Sequence, residues 1–276
     1  MTTVRAALAE TTERLAAADC DTPAVDAELL LAHVLGTTRS VVRADASRAL
    51  TDDELASLEP LVARREQREP LAYVLGEWGF RRLTLKVDRR VLVPRPETET
   101  VVERCLALLE GRGQPRVLDV GSGSGAIALA LADEYPGAQV TGVDIALDAL
   151  ALARENAQRT GLRVDFRRWD LFRGLPDGPW DLVVSNPPYI SPAELPGSSA
   201  EVRDWEPRLA VVGERATEAV ADGAREVLVA GAALVLEVAD GSAARVAALL
   251  DDLRYHDVRS TRDLTGRDRV VEGIRP

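Results

Sequence analysis

Asn186-Pro187-Pro188-Tyr189 is the stretch of this sequence best suited to chemistry. It follows Asp181-Leu182-Val183-Val184-Ser185, an apolar run that predicts a short buried strand. Consecutive prolines stiffen the backbone and carry no N–H, so the carbonyls around them lack local partners. The Asn186 side-chain oxygen and the Pro187 carbonyl then make a pair of acceptors for the two N–H groups of a planar amide. An amide nitrogen is a poor nucleophile because its lone pair is delocalised. Acceptors aimed at its hydrogens stabilise the positive charge that develops as it attacks a methyl sulfonium. Tyr189 offers a flat face for the amide, Pro188 completes the substrate loop, and positioning supplies much of the remaining rate gain. No strong base is required, since the methylated nitrogen becomes acidic. The sequence has two histidines, which suits this chemistry. His33 lies in an apolar helical pattern and reads as a packing residue, and His256 has no evident partner. Cys20 and Cys105 belong to no Cys-x-x-Cys pair and read as buried thiols, so no metal site is expected.

A second constellation is Asp119-Val120-Gly121-Ser122-Gly123-Ser124-Gly125, between an apolar strand and a helix. Glycines allow tight turns and close approach to a ligand, and a helix N-terminus offers free N–H groups. The spacing is G-x-G-x-G, whereas a dinucleotide loop has G-x-G-x-x-G. Asp119 would repel a pyrophosphate; it would order the loop or attract a cationic amino acid moiety. S-adenosylmethionine carries an ammonium and a sulfonium and no phosphate, so it fits better. Asp144 ends the next strand, about 20 residues on, where an acid suits ribose hydroxyls. Asp170 follows a third strand and can accept from an adenine amino group, with Leu171 covering the ring. The local alternatives are an N-cap at Asp144 and a turn aspartate at Asp170.

The elements that must position these loops alternate along the chain. Strands are expected at 117–120, 140–143, 164–166, 181–185, 232–237, 256–261 and 268–273, with helices at 126–132, 147–159, 214–229 and 243–253. That order predicts an α/β fold with an open, mostly parallel sheet, helices on both faces and ligands outside the carboxyl ends of the strands. Residues 1–80 read as a small helical bundle. Thr22-Pro23 opens one helix that Gly36 stops, and Thr51-Asp52-Asp53-Glu54 has capping-box spacing. The helix after Thr51 should bury Leu55, Leu58, Leu61 and Val62 and end near Glu69-Pro70. Residues 81–96 read as a β-hairpin connector, with alternation at Leu83, Leu85 and Val87 and again at Val91 and Val93. Residues 97–276 form the catalytic domain.

The net charge of -11 argues against non-specific nucleic-acid binding, and with it against a base-methylating enzyme that must extrude its target. No apolar run approaches the roughly 20 residues that span a bilayer, so a cytoplasmic protein without membrane contact is expected.

These residues resemble the PrmC/HemK family of N(5)-glutamine methyltransferases, which modify class 1 peptide chain release factors. The resemblance covers nearly the whole chain. It is carried by Arg64-Arg65-Glu66, Pro70-Leu71, Gly76 to Phe80, Val91-Leu92-Val93-Pro94-Arg95-Pro96-Glu97-Thr98-Glu99, the glycine loop, Asn186 to Tyr189, Val202-Arg203, Glu206-Pro207, Arg262-Asp263-Leu264 and Arg269-Val270. It implies a Rossmann-like seven-stranded methyltransferase sheet and a five-helix N-terminal domain that docks the release factor, most simply as a monomer. It also implies S-adenosylmethionine contacts at Gly121–Gly125, Asp144, Leu171 and Asn186. The glutamine of a Gly-Gly-Gln loop would be held by Asn186, Pro187, Pro188 and Tyr189. Two stretches depart from the family pattern, Val211–Ala216 and Val238–Gly241. They keep a second reading open, a paralogous N-methyltransferase acting on a metabolite or another protein.

Overall fold

The computed structural model describes residues 1–276. In chain order the elements are α1 (Val4–Ala17), α2 (Pro23–Val34), α3 (Arg39–Ala44), α4 (Asp52–Glu66), α5 (Leu71–Leu75), β1 (Glu77–Phe80), β2 (Leu83–Lys86), α6 (Thr98–Leu109), β3 (Arg116–Val120), α7 (Ala126–Glu134), β4 (Gln139–Asp144) and α8 (Leu147–Thr160). They continue with β5 (Asp165–Arg168), β6 (Trp180–Ser185), α9 (Ala200–Asp204), α10 (Arg208–Val211), α11 (Ala216–Val227), β7 (Leu228–Glu237), α12 (Ala243–Asp252), β8 (His256–Arg262) and β9 (Asp268–Ile274). The chain divides into two compact units, residues 1–77 with 199–205, and residues 78–198 with 206–276.

The first unit is helical. Thr51 caps α4 in a full capping box: its hydroxyl accepts from the Glu54 N–H at 3.2 Å, and the Glu54 carboxylate accepts from the Thr51 N–H at 2.9 Å. Leu58 and Val62 are buried, Leu55 and Leu61 half-buried, and α4 ends at Glu66. The buried stripe runs on to Arg65, whose guanidinium binds Asp26 at 2.8 Å and Glu201 of α9 at 2.8 Å. A buried cation needs such partners, and this one fastens residues 199–205, far along the chain, to the helices. His33 is not a packing residue: the buried positions of α2 are 26, 27, 30, 31 and 32, and His33 lies on the exposed face.

The second unit carries a seven-stranded sheet of order β5-β4-β3-β6-β7-β9-β8. Strands β3 to β7 pair in parallel, and β9 runs antiparallel to both neighbours. Side chains alternate between faces along a strand. Val117, Leu182, Val184, Ala233 and Val235 therefore join one core with α6, α7 and α8. Leu118, Val183, Leu234 and Leu236 join the other, with α11 and α12. Chain order reverses between β3 and β6, which opens a crevice at the carboxyl ends of those strands.

The hairpin lies earlier than 81–96. It pairs β1 with β2 through Arg81-Arg82, with Arg81 in the left-handed region at φ 54. Residues 91–96 form no strand. Pro94 and Pro96 cannot donate to a ladder, and the Val93 N–H goes to the Glu206 carboxylate at 3.2 Å.

Candidate active site

Four loops meet at the crevice. They follow β3, β4, β5 and β6, and one cavity is lined by Gly121, Ser122, Gly123, Ser124, Asp144, Asp170, Leu171, Asn186 and Pro188. Nine of the residues singled out above thus share a wall because successive parallel strands end on the same side of the sheet.

The loop after β3 is held from several sides. The Gly121 and Ser122 N–H groups donate to the Val143 carbonyl at 2.8 and 3.0 Å. The Asp144 carboxylate accepts from the Gly123 N–H and the Ala146 N–H, each at 2.9 Å. Asp144 therefore organises the loop as well as lining the cavity, and burial raises its pKa. Buried Asn156 of α8 donates to the Ser124 carbonyl at 3.0 Å and bonds both main-chain groups of Lys86. Gly125 stands behind the wall. It caps α7 at φ +82, and a Cβ there would sit 2.9 Å from the Phe166 ring, so its glycine serves packing.

Asp170 is both a turn residue and a lining residue. Its carboxylate accepts from the Phe172 N–H at 3.1 Å and stands 3.6 Å from Arg173. Around it Ile145, Trp169 and Phe172 line the cavity while staying exposed, an apolar rim that flat chemistry would cover. Sequence reasoning missed this rim, although a Trp and a Phe bracketing Asp170-Leu171 were a signal for it.

The Asn186–Tyr189 stretch is split. A residue before proline is held extended, and extended backbone sends successive side chains to opposite sides. Asn186 and Pro188 accordingly face the cavity, while Pro187 is buried and Tyr189 half-buried outside its lining. The main-chain carbonyl of Pro187 takes no backbone donor. Burial raises the Tyr189 hydroxyl, with Glu237 adding to the effect and Arg269 and Arg95 opposing it.

Val211–Ala216, one of the two stretches that depart from the family pattern, belongs to the site: Val211 and Ala216 are buried, and Val212, Gly213 and Ala216 line the cavity. The Ile190 N–H donates to the Val211 carbonyl and the Gly213 N–H to the Ile190 carbonyl, each at 3.2 Å, which braces the end of the Asn-Pro-Pro-Tyr loop. His256 does have a partner, the exposed carboxylate of Asp257 at 2.9 Å.

The cavity chemistry fits S-adenosylmethionine and not a pyrophosphate. Arg90 is bonded to Asp88 and Glu155, and Arg95 to Glu206, so the arginines of the wall are committed to carboxylates. Beneath the glycine loop Asp119 is fully buried, and both its carboxylate oxygens lack a hydrogen-bond partner. By strand alternation it faces the α6 and α7 layer. Burial pushes its pKa up to about 7. A carboxyl raised in the folded state contributes stability fully below its unfolded pKa, and that contribution is lost as pH rises toward the folded value. Asp119→Asn is therefore expected to gain on the parent as pH rises from 4 to 8, by a few kcal/mol at the upper end. Thermal melts of the two proteins across that range check this; a constant difference in Tm would refute it.

Comparison with known proteins agrees with this geometry. Residues 6–76 match the PrmC N-terminal domain, and residues 103–200 the methyltransferase small domain. A release factor glutamine methyltransferase of Vibrio cholerae is 42% identical over 98% of this chain and 96% of its own length. One of Deinococcus radiodurans is 42% identical over 99% and 98%. A methyltransferase from Pyrococcus furiosus shares the fold, with a TM-score of 0.50 at 18% identity over 69% of this chain and 87% of its own. With both parts of the chain matched in order and full-length relatives at this identity, the chain belongs to the release factor glutamine methyltransferase family.

Proposed function

We propose that this protein transfers a methyl group from S-adenosylmethionine to the side-chain amide nitrogen, N5, of a protein glutamine, the glutamine of the Gly-Gly-Gln motif in class 1 peptide chain release factors. The observation that carries the reading is the placement of Asn186, at the end of β6, in the same cavity wall as the glycine loop, Asp144 and Asp170. The glycine loop, Asp144 and the Asp170-Leu171 turn hold the cofactor, whose sulfonium supplies an electrophilic methyl. Asn186 Oδ1 and the Pro187 carbonyl accept the two N–H groups of the glutamine amide and align its nitrogen. As the new C–N bond forms and the C–S bond breaks, both acceptors stabilise the charge on nitrogen, which then loses a proton to water. Tyr189, outside the cofactor cavity, packs against the acceptor side chain. The unit of residues 1–77 docks the protein substrate. The enzyme acts as a cytoplasmic monomer and needs no nucleic acid; none of its helices is long and apolar enough to cross a membrane.

The test is methyl transfer from labelled S-adenosylmethionine to purified, unmodified release factor, followed by peptide mapping. One added methyl on the Gly-Gly-Gln glutamine is the expected result. No transfer to that residue, with cofactor binding verified by calorimetry, would reject this substrate and favour the paralogue.

A further inference from the structure

Asn186 is joined to two buried polar side chains from other elements. Its Nδ2 donates to Thr98 Oγ1 at 3.4 Å, and Thr98 Oγ1 donates to Glu237 Oε2 at 2.6 Å. Thr98, the first residue of α6, is 4% exposed, and Glu237, the last residue of β7, is 1% exposed. We propose that Glu237 and Thr98 are positioning residues that decide which end of the Asn186 amide faces the acceptor glutamine. This rests on Asn186 acting as an acceptor, as argued above.

The logic follows from counting hydrogens. An ionised carboxylate only accepts, and a hydroxyl has one hydrogen to give. The short Thr98–Glu237 contact lies in the range of an O–H donor bonded to a carboxylate. The Thr98 hydrogen is therefore committed to Glu237, and Thr98 can only accept from Asn186. Asn186 must turn its NH2 toward Thr98, which turns Oδ1 the other way. Protonation of Glu237 reverses the chain. The carboxyl then donates to Thr98, the Thr98 hydrogen is released to Asn186 Oδ1, and the amide presents NH2 where an acceptor is required.

Glu237 is placed to make this change near neutrality. Burial is the main cause, pushing its pKa up to about 7. Glu97, just before α6, acts in the same direction, while Thr98, Arg269 of β9 and Arg95 hold it down. Arg269 is itself bonded to the Val238 carbonyl and Asp263. The Tyr189 phenol, from the loop after β6, also faces Glu237, Arg269 and Arg95. Ionisation restores the productive orientation, so activity rises with pH through the Glu237 transition.

The experiment compares kcat and KM for release-factor methylation from pH 6 to 9 in the parent, Thr98→Val, Thr98→Ser and Glu237→Gln. The parent kcat should rise about tenfold between pH 6 and 8, as one titrating group at about pH 7 requires. Thr98→Val should lower kcat about 10- to 100-fold with KM and cofactor Kd within about threefold, since it removes positioning and leaves binding. Thr98→Ser should restore most of that loss, and Glu237→Gln should flatten the pH profile. A parent-like kcat in Thr98→Val, or a surviving step in Glu237→Gln, overturns the proposal. If Thr98→Val does not fold, the Glu237→Gln profile decides. The Asn186 side-chain amide resonances, assigned by their loss in Asn186→Ala, give a readout independent of substrate. They should titrate with a midpoint near 7 in the parent and not in Glu237→Gln. Titration without release-factor methylation would reject the substrate and keep the positioning chain; methylation without titration would reject the chain and keep the substrate.

Discussion

Asn186→Ala should lower kcat for glutamine methylation about 10²- to 10³-fold, the usual loss when one preorganised group facing developing charge is removed. The alanine cannot accept the amide N–H, and water entering the space is not preorganised. The cofactor should still bind, because Gly121 to Ser124, Asp144, Asp170 and Leu171 are untouched. Its Kd is expected to stay within about fivefold, the part of its binding that Asn186 supplies. Stopped single turnovers with excess enzyme separate the two quantities. A kcat within threefold of the parent would remove Asn186 from the chemistry altogether. A loss confined to cofactor Kd would make it a binding residue only.

Gly213→Ala is the second large effect. A Cβ on Gly213 would stand 2.5 Å from the Pro188 carbonyl oxygen and 2.6 Å from its Cγ. Neither can yield like the end of a flexible side chain, because Pro188 is a rigid ring on a backbone braced through Ile190. The Asn-Pro-Pro-Tyr loop must move instead. A displacement near 1 Å at a positioning group costs about 10²-fold in rate. We expect kcat to fall by that order, with cofactor Kd changed little and Tm lowered slightly. Parent-like turnover would mean that the loop tolerates displacement and that its exact seat does not matter. The result also bears on Val211–Ala216, where the sequence departs from the family pattern. That stretch forms part of the cavity wall and supports the Asn-Pro-Pro-Tyr loop, so its residues are answerable to the site.

Much of this architecture is legible in the sequence. The strand and helix alternation from residue 116 onward follows from apolar runs of strand length broken by helical periods. The sheet's parallel order then forces the glycine loop, Asp144, Asp170 and Asn186 to one end. The capping box at Thr51 and Glu54 is a local rule, and it holds because both partners lie within one turn. The hairpin was misplaced for an equally local reason. Val91 and Val93 alternate as a strand would, but the two prolines beside them deny the ladder its donors, and Arg81 supplies the turn at a position no apolar pattern marks.

The sequence by itself determined which residues stand at the ends of the strands, since the positions of strands and helices along the chain are written in short-range patterns. Only the tertiary structure decided what those places mean. Thr98 meets Asn186 across 88 residues and Glu237 across 139, Gly213 closes on Pro188, and Arg65 is satisfied by Glu201, 136 residues away. Hydrogen-bond direction and steric fit are properties of pairs. A chain read in order presents such partners one at a time, and folding brings the hydrogen-bonded ones within 3.4 Å or less.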